Sequence, residues 1–206
     1  GRAGGWVVVA PFRNLVARGG GVNSAVGSPR VAYVMTDGAA LPAGFSRLLA
    51  DLRRSGLLDT CVTVGQAFGG DLEAVTLWSG LLAAVGVAHA EVVIVADGPG
   101  NLGTATRWGV SALASGLALN AARLLGGSPV AALRVSFADP RERHRGVSHH
   151  SRTILRDVCT VEANVAVPTL DAPEREAVWA ALREARLEER HQLVEADGRP
   201  ALEALT

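Results

Sequence analysis

A chain of 206 residues with 49% hydrophobic and 19% charged side chains has ample material for a buried core and the length of one large domain. Its 20 cations balance its 20 acids, which argues against a general nucleic-acid or anionic-membrane surface and leaves any anion site to local clustering. Every cation is arginine, so Schiff-base catalysis, lysine-linked pyridoxal phosphate and the lysine of a phosphate-binding P-loop are excluded as well.

In chain order, "GWVVVA" is a short strand candidate, followed by the turn-rich "RGGGVNSAVGSPR". "RVAYVMT" (30–36) is a β-rich run ending at Asp37 and Gly38, and "AGFSRLLADLRRSGLL" has a helical pattern that stops at Gly56. "TCVTV" (60–64) is the next strand and ends in "GQAFGGD". Asp71 there is expected to cap a helix carrying Val75, Trp78, Leu81, Leu82 and Val85 on its apolar side. "EVVIVA" (91–96) is apolar throughout, as suits a strand covered on both faces, and "DGPGNLGT" leads from it into a small-residue helix. "PVAALRVSF" (129–137) is a fourth strand, followed by Asp139 and the cationic stretch "RERHRGVSHH", with "SRTILRDV" as its helix. "VEANVAVP" (161–168) is a fifth. A charged helix then starts near Asp171, with Asp171 and Glu174 as a capping box around Pro173.

Strands about thirty residues apart with helices between them predict βαβ units. The expected fold is a three-layer αβα sandwich with a mainly parallel, Rossmann-like sheet, forming one domain over 1–206. Residues 1–29 form a strand and Gly-rich lead-in, 30–168 the core units, and 169–206 a charged helix and C-terminal segment. The start at Gly1 and the abrupt end after "ALEALT" fit a piece of something longer. Cys61 and Cys159 match no zinc or redox spacing and are expected to be buried and reduced, in a cytoplasmic protein. No stretch reads as a membrane span or signal peptide.

Open parallel sheets bind ligands beyond the carboxyl ends of their strands. The loops there hold the unusual residues and are expected to form one site. Gly98, Gly100 and Gly103, with Thr104, have the spacing of an anion-binding turn at a helix N-terminus, or of a plain tight turn. Gln66, Gly69 and Gly70 form a second glycine-rich turn. Asp37 suits a ligand or metal, or a hydrogen bond to its own turn. In an extended segment Arg141, Arg143 and Arg145 would share one side and receive a phosphate or carboxylate, with His144 pointing away. His149 and His150 open a helix about 100° apart, which disfavours a shared metal and suits one of them as general acid or base. Asp139 would orient a histidine or pair with an arginine.

A metal reading would use Asp139, His144 and one of His149 or His150. No familiar spacing supports it and the arginines would repel a dication, so no metal is expected. A solvated basic loop is the bland alternative. Ser148 lies outside any G-x-S-x-G turn, and His89 and His191 carry no assignment.

"RVAYVMTDGAALP", "GQAFGGDLEAV", "GPGNLGTATRWG" and "RVSFADPRERHRGVSHH" stand in that order across about residues 30–157. Together they resemble an uncharacterised bacterial family, the domain of unknown function 3866. Family members tend to be longer, and Asp97 and Ala105 depart from the pattern. The resemblance implies one site built from the four loops and implies no reaction.

The leading expectation is an enzyme acting on a small phosphorylated or nucleotide-like metabolite, with cofactors unknown. Its partners would be a small anionic ligand and further copies of the chain, without nucleic acid or membrane. The alternatives are a non-catalytic nucleotide-binding oligomeric module and a metal-dependent hydrolase.

Overall fold

The computed structural model describes residues 6–9, 29–38, 41–98 and 100–199. Among these, eight strands form one parallel sheet. They are β1 (Trp6–Val9), β2 (Val31–Thr36), β3 (Thr60–Val64), β4 (Leu72–Ala74), β5 (Val92–Asp97), β6 (Ser128–Ala132), β9 (Asn164–Pro168) and β10 (Gln192–Ala196). Their order across the sheet is β10-β9-β6-β1-β5-β2-β3-β4. A separate antiparallel pair joins β7 (Val135–Ser136) to β8 (Gly146–Val147).

β2 and β5 are buried along their whole length, which is why their sequences are near-continuous apolar runs rather than alternating ones. Side chains still alternate between faces. Ala32, Val34, Val93 and Val95 join one core with α2 (Leu77–Gly86), α3 (Ala114–Leu124) and α5 (Glu174–Glu184). Val31, Tyr33, Met35, Val92, Ile94 and Ala96 join the other, with Leu49 and Leu52 of α1 (Arg47–Arg54). Each fully buried Val or Ile contributes about 1.5–3 kcal/mol by leaving water. The fold is thus the expected three-layer αβα sandwich with a parallel, Rossmann-like sheet. Cys61 and Cys159 are free and buried in opposite cores. No helix among the described residues is long and apolar enough to cross a membrane.

Local expectations fail where side chains find partners elsewhere. Asp71 does not cap a helix; its carboxylate accepts from the Cys61 amide and pairs with Arg53, and residues 72–74 become an edge strand. Helix α2 begins instead at Leu77, capped by Thr76 with Ser79 completing a capping box, so Val75 is left exposed. The capping box at Asp171 and Glu174 does not form either: α5 starts after Pro173 with no side-chain cap. The run 129–137 is not one strand. It breaks after Ala132, where Arg134 leaves the sheet and its backbone N–H donates to Ser151 Oγ while its carbonyl accepts from Ser148 N. The Gly-rich lead-in at 10–28, Pro99 and the end of the C-terminal segment lie outside the described residues.

Candidate functional site

Parallel pairing places the carboxyl ends of all eight strands on one edge. β1 lies between β5 and β6. The loops that follow β5 and β6 therefore leave the same edge two strand positions apart, beyond the carboxyl ends where such sheets bind ligands. A cavity of about 410 Å³ lies at this place, within the size range of small-ligand sites. Its wall takes Asn101, Gly103 and Thr104 from the loop after β5, Ala112 and Ser115 from around the start of α3, and Ala131 and Ala132 from β6. Asp97 at the end of β5 lines it too, as do Arg134, Arg141, Arg143, His144, Ser148 and His150. Two stretches some forty residues apart in the chain, the glycine turn and the Arg/His segment, therefore share one hollow.

The glycine turn does not have the expected form. Gly98 is buried, and a Cβ there would collide with the Met35 side chain; Gly100 is exposed at φ 151°; neither lines the cavity. Gly103 and Thr104 do, but they do not open a helix. Gly103 bridges to Val110 and the Thr104 amide donates to Gly109 O at 2.6 Å, closing a small loop before α3. The Thr104 amide is thus committed to protein, while Ala112, in the 3₁₀ turn before α3, and Ser115, in its first turn, meet the cavity. Asp97 fixes the loop's root: its buried carboxylate accepts from Thr36 Oγ1 and, at 2.7 Å, from Ser111 Oγ.

The Arg/His segment is a loop between β7 and β8, and residues 142–144 make a 3₁₀ turn in which the His144 amide donates to Arg141 O. Arg141, Arg143 and Arg145 consequently do not share one side. Arg141 and Arg143 line the cavity; Arg145 does not. His144, expected to point away, is buried in the wall instead. Asp139 accepts a fork from Arg141, Nε to Oδ1 and Nη2 to Oδ2 at 3.0 Å each, and a bond from Arg134 Nη2 at 2.6 Å. Those guanidinium bonds hold its carboxyl well below the usual range. Asp139 thus pairs with arginines and orients no histidine. Arg143 makes no ion pair or hydrogen bond among the described residues.

Residues 149–153 form α4, continued by a wide turn at Ile154–Val158, and Ser148 Oγ caps it by accepting from the His150 amide. The 100° separation of His149 and His150 along the helix does not keep their rings apart. Their centroids are 3.9 Å from each other and 5.0 and 5.2 Å from the His144 ring. His144 joins from a different element, the 3₁₀ turn, and all three rings converge. His144 Nδ1 lies 2.8 Å from Ser148 Oγ. His149 Nε2 and His150 Nε2 are buried without a hydrogen-bond partner among the described residues. Burial, then the neighbouring positive charges, push His144 and His150 down to about 4 and lower His149 too, so the imidazoles are neutral at pH 7.

The remaining candidates lie elsewhere. Asp37 accepts from the Gln66 amide at 3.1 Å and ties two strand ends together; Gln66, Gly69 and Gly70 do not line the cavity. At Gly70 a Cβ would meet Cys61 O and Leu72 O, so that glycine serves the close approach of β3 and β4. His191 is buried with Nε2 2.9 Å from Leu155 O, and His89 is exposed. The sequence reading passed over Arg134, Ser148 and Asn101. A cation inside an otherwise apolar run was the available signal for Arg134; Asn101 and Ser148 had none.

A family model described as "Protein of unknown function (DUF3866)" matches residues 6–206. No curated protein and no solved structure matches the chain.

Proposed function

We propose that this chain, which belongs to the DUF3866 family of unknown function, is an enzyme acting on a small phosphorylated or nucleotide-like metabolite bound in the 410 Å³ cavity. One observation carries the reading: three guanidiniums and two imidazoles stand in the wall of a small-ligand-sized hollow, with Asp97 as the sole acid among its described lining residues. Arg143, which makes no ion pair or hydrogen bond among the described residues, is the group that meets the anion, because binding it breaks no bond to them. Arg141 and Arg134 are held in place by Asp139 and add positive potential. Thr104 and Ser115 offer hydroxyls for the rest of the ligand. His150, neutral at pH 7 and part of the wall, is placed to take a proton or serve as a ligand to an electrophile.

A thermal-shift screen with inorganic phosphate, sugar phosphates and nucleotides tests this, since a ligand that prefers the native state raises its Tm. A phosphate-bearing compound should stabilise the protein. Arg143→Ala should weaken its binding about 10- to 100-fold, the equivalent of a charge-assisted hydrogen bond. Arg145→Ala, outside the wall, should leave it unchanged. A screen in which no anion shifts Tm, or equal losses in both variants, would refute the reading.

A further inference from the structure

His144, His149 and His150 each present a ring nitrogen, and these three atoms lie within 4.8 Å of one another. Three imidazoles around a tetrahedral ion at a bond length of ~2.0–2.1 Å would hold their nitrogens about 3.3 Å apart. The difference is within reach of small side-chain rotations, because the rings already sit with their centroids 3.9–5.2 Å apart.

Their surroundings point the same way. Two buried imidazole nitrogens without a hydrogen-bond partner among the described residues, His149 Nε2 and His150 Nε2, carry an unmet desolvation cost in the protein alone. A nitrogen lone pair on a metal removes that cost. Ser148 Oγ, 2.8 Å from His144 Nδ1, has the position of an outer partner that fixes one ring nitrogen and leaves Nε2 for the ion.

We propose that His144, His149 and His150 bind a single divalent transition-metal ion of the zinc type, with a fourth coordination position open to the cavity. Nitrogen-only donors select zinc, cobalt, nickel or copper over magnesium and calcium, which take oxygen. The open position follows from the wall: His144 and His150 both line the cavity, so an ion between them faces it. Three protein ligands and one exchangeable position is the pattern of a catalytic rather than a structural zinc.

The arginines oppose a dication by Coulomb repulsion. Asp139 offsets this, since its carboxylate engages Arg134 and Arg141 together. Among the described residues, Arg143 is the arginine of the wall without a counter-charge, and an anion on the open position would meet both it and the metal. The metal site needs only the histidines and stands whether or not the cavity takes a phosphorylated ligand.

The test uses the intact protein, stripped with a chelator and titrated with Co²⁺, read by the visible absorption of a four-coordinate site, with Zn²⁺ as competitor. Saturation at a single ion per chain is expected. His149→Ala/His150→Ala should weaken binding by more than the ~10- to 100-fold that losing an outer partner costs, and Ser148→Ala by about that amount. His89→Asn, at the exposed histidine, should not change it. X-ray absorption of the Zn²⁺-loaded unmodified protein needs no variant and should show imidazole nitrogens at ~2.0 Å. A protein that takes up no ion, a spectrum without imidazole, or undiminished binding by the double variant would overturn the proposal. Phosphate binding is measured separately by Tm in chelator, so either idea can fail alone.

Discussion

Asp139 has a side chain only 7% exposed, accepts four hydrogen bonds from two arginines, and has its carboxyl held far below the usual value. A carboxyl depressed in the folded state stabilises the protein above its unfolded pKa of about 3.9, and loses that contribution as the pH falls from there toward the folded value. Asp139→Asn should therefore lower Tm at pH 7. The gap between wild type and variant should stay constant down to about pH 5 and narrow below about pH 4. Thermal melts across pH 3–8 check this, and a gap that grows in acid would contradict it. Loss of Asp139 also leaves Arg134 and Arg141 without their counter-charge beside the imidazoles. The same carboxylate thus serves both stability and the electrostatics of the cavity.

Helix α3 and the turn at 154–158 hold the two halves of the cavity together, and Gly116 sets their separation. A Cβ at that position would lie 2.7 Å from Val158 Cγ1 and 3.2 Å from the Cys159 amide nitrogen. Val158 is stiff at χ1 and the amide belongs to the main chain, so neither yields easily. Asn120 reinforces the contact by donating to Val158 O and accepting from the Thr160 amide. Overpacking of up to about 3 kcal/mol outweighs the ~1 kcal/mol of helix propensity that alanine brings. Gly116→Ala should cost about 2 kcal/mol in urea denaturation, a sum of those two effects. A stabilised variant would show that the helix and the turn are free to separate.

The two cores on either face of the sheet each hide one cysteine. Burial pushes the Cys61 thiol up to about 12 and raises Cys159 as well. Since the thiolate is the reactive form and both sulfurs are enclosed, neither should alkylate in the native state. Labelling by an excess of a small thiol reagent should follow the opening of the fold and reach both residues together as urea approaches the unfolding midpoint. Rapid labelling of one of them in buffer alone would place that face of the sheet at the surface. The two cysteines also cannot pair within the chain, because the sheet stands between them.

The layered architecture was legible in the sequence because it depends on patterns a few residues long. Apolar runs such as 31–35 and 92–96, bounded by turn signals, suit a parallel strand covered on both faces. Covalent facts settled equally early, among them the absence of lysine and with it whole reaction classes. The site was legible only as a location. Which arginines face the hollow depended on a 3₁₀ turn at 142–144, and which loops reach it depended on β1 lying between β5 and β6. The meeting of His144 with His149 and His150 joins two elements whose relative placement is set by Ser148, Ser151 and Arg134, all side-chain or main-chain bonds made in three dimensions. Periodicity reports which way a side chain leaves its own element; only packing decides what it meets.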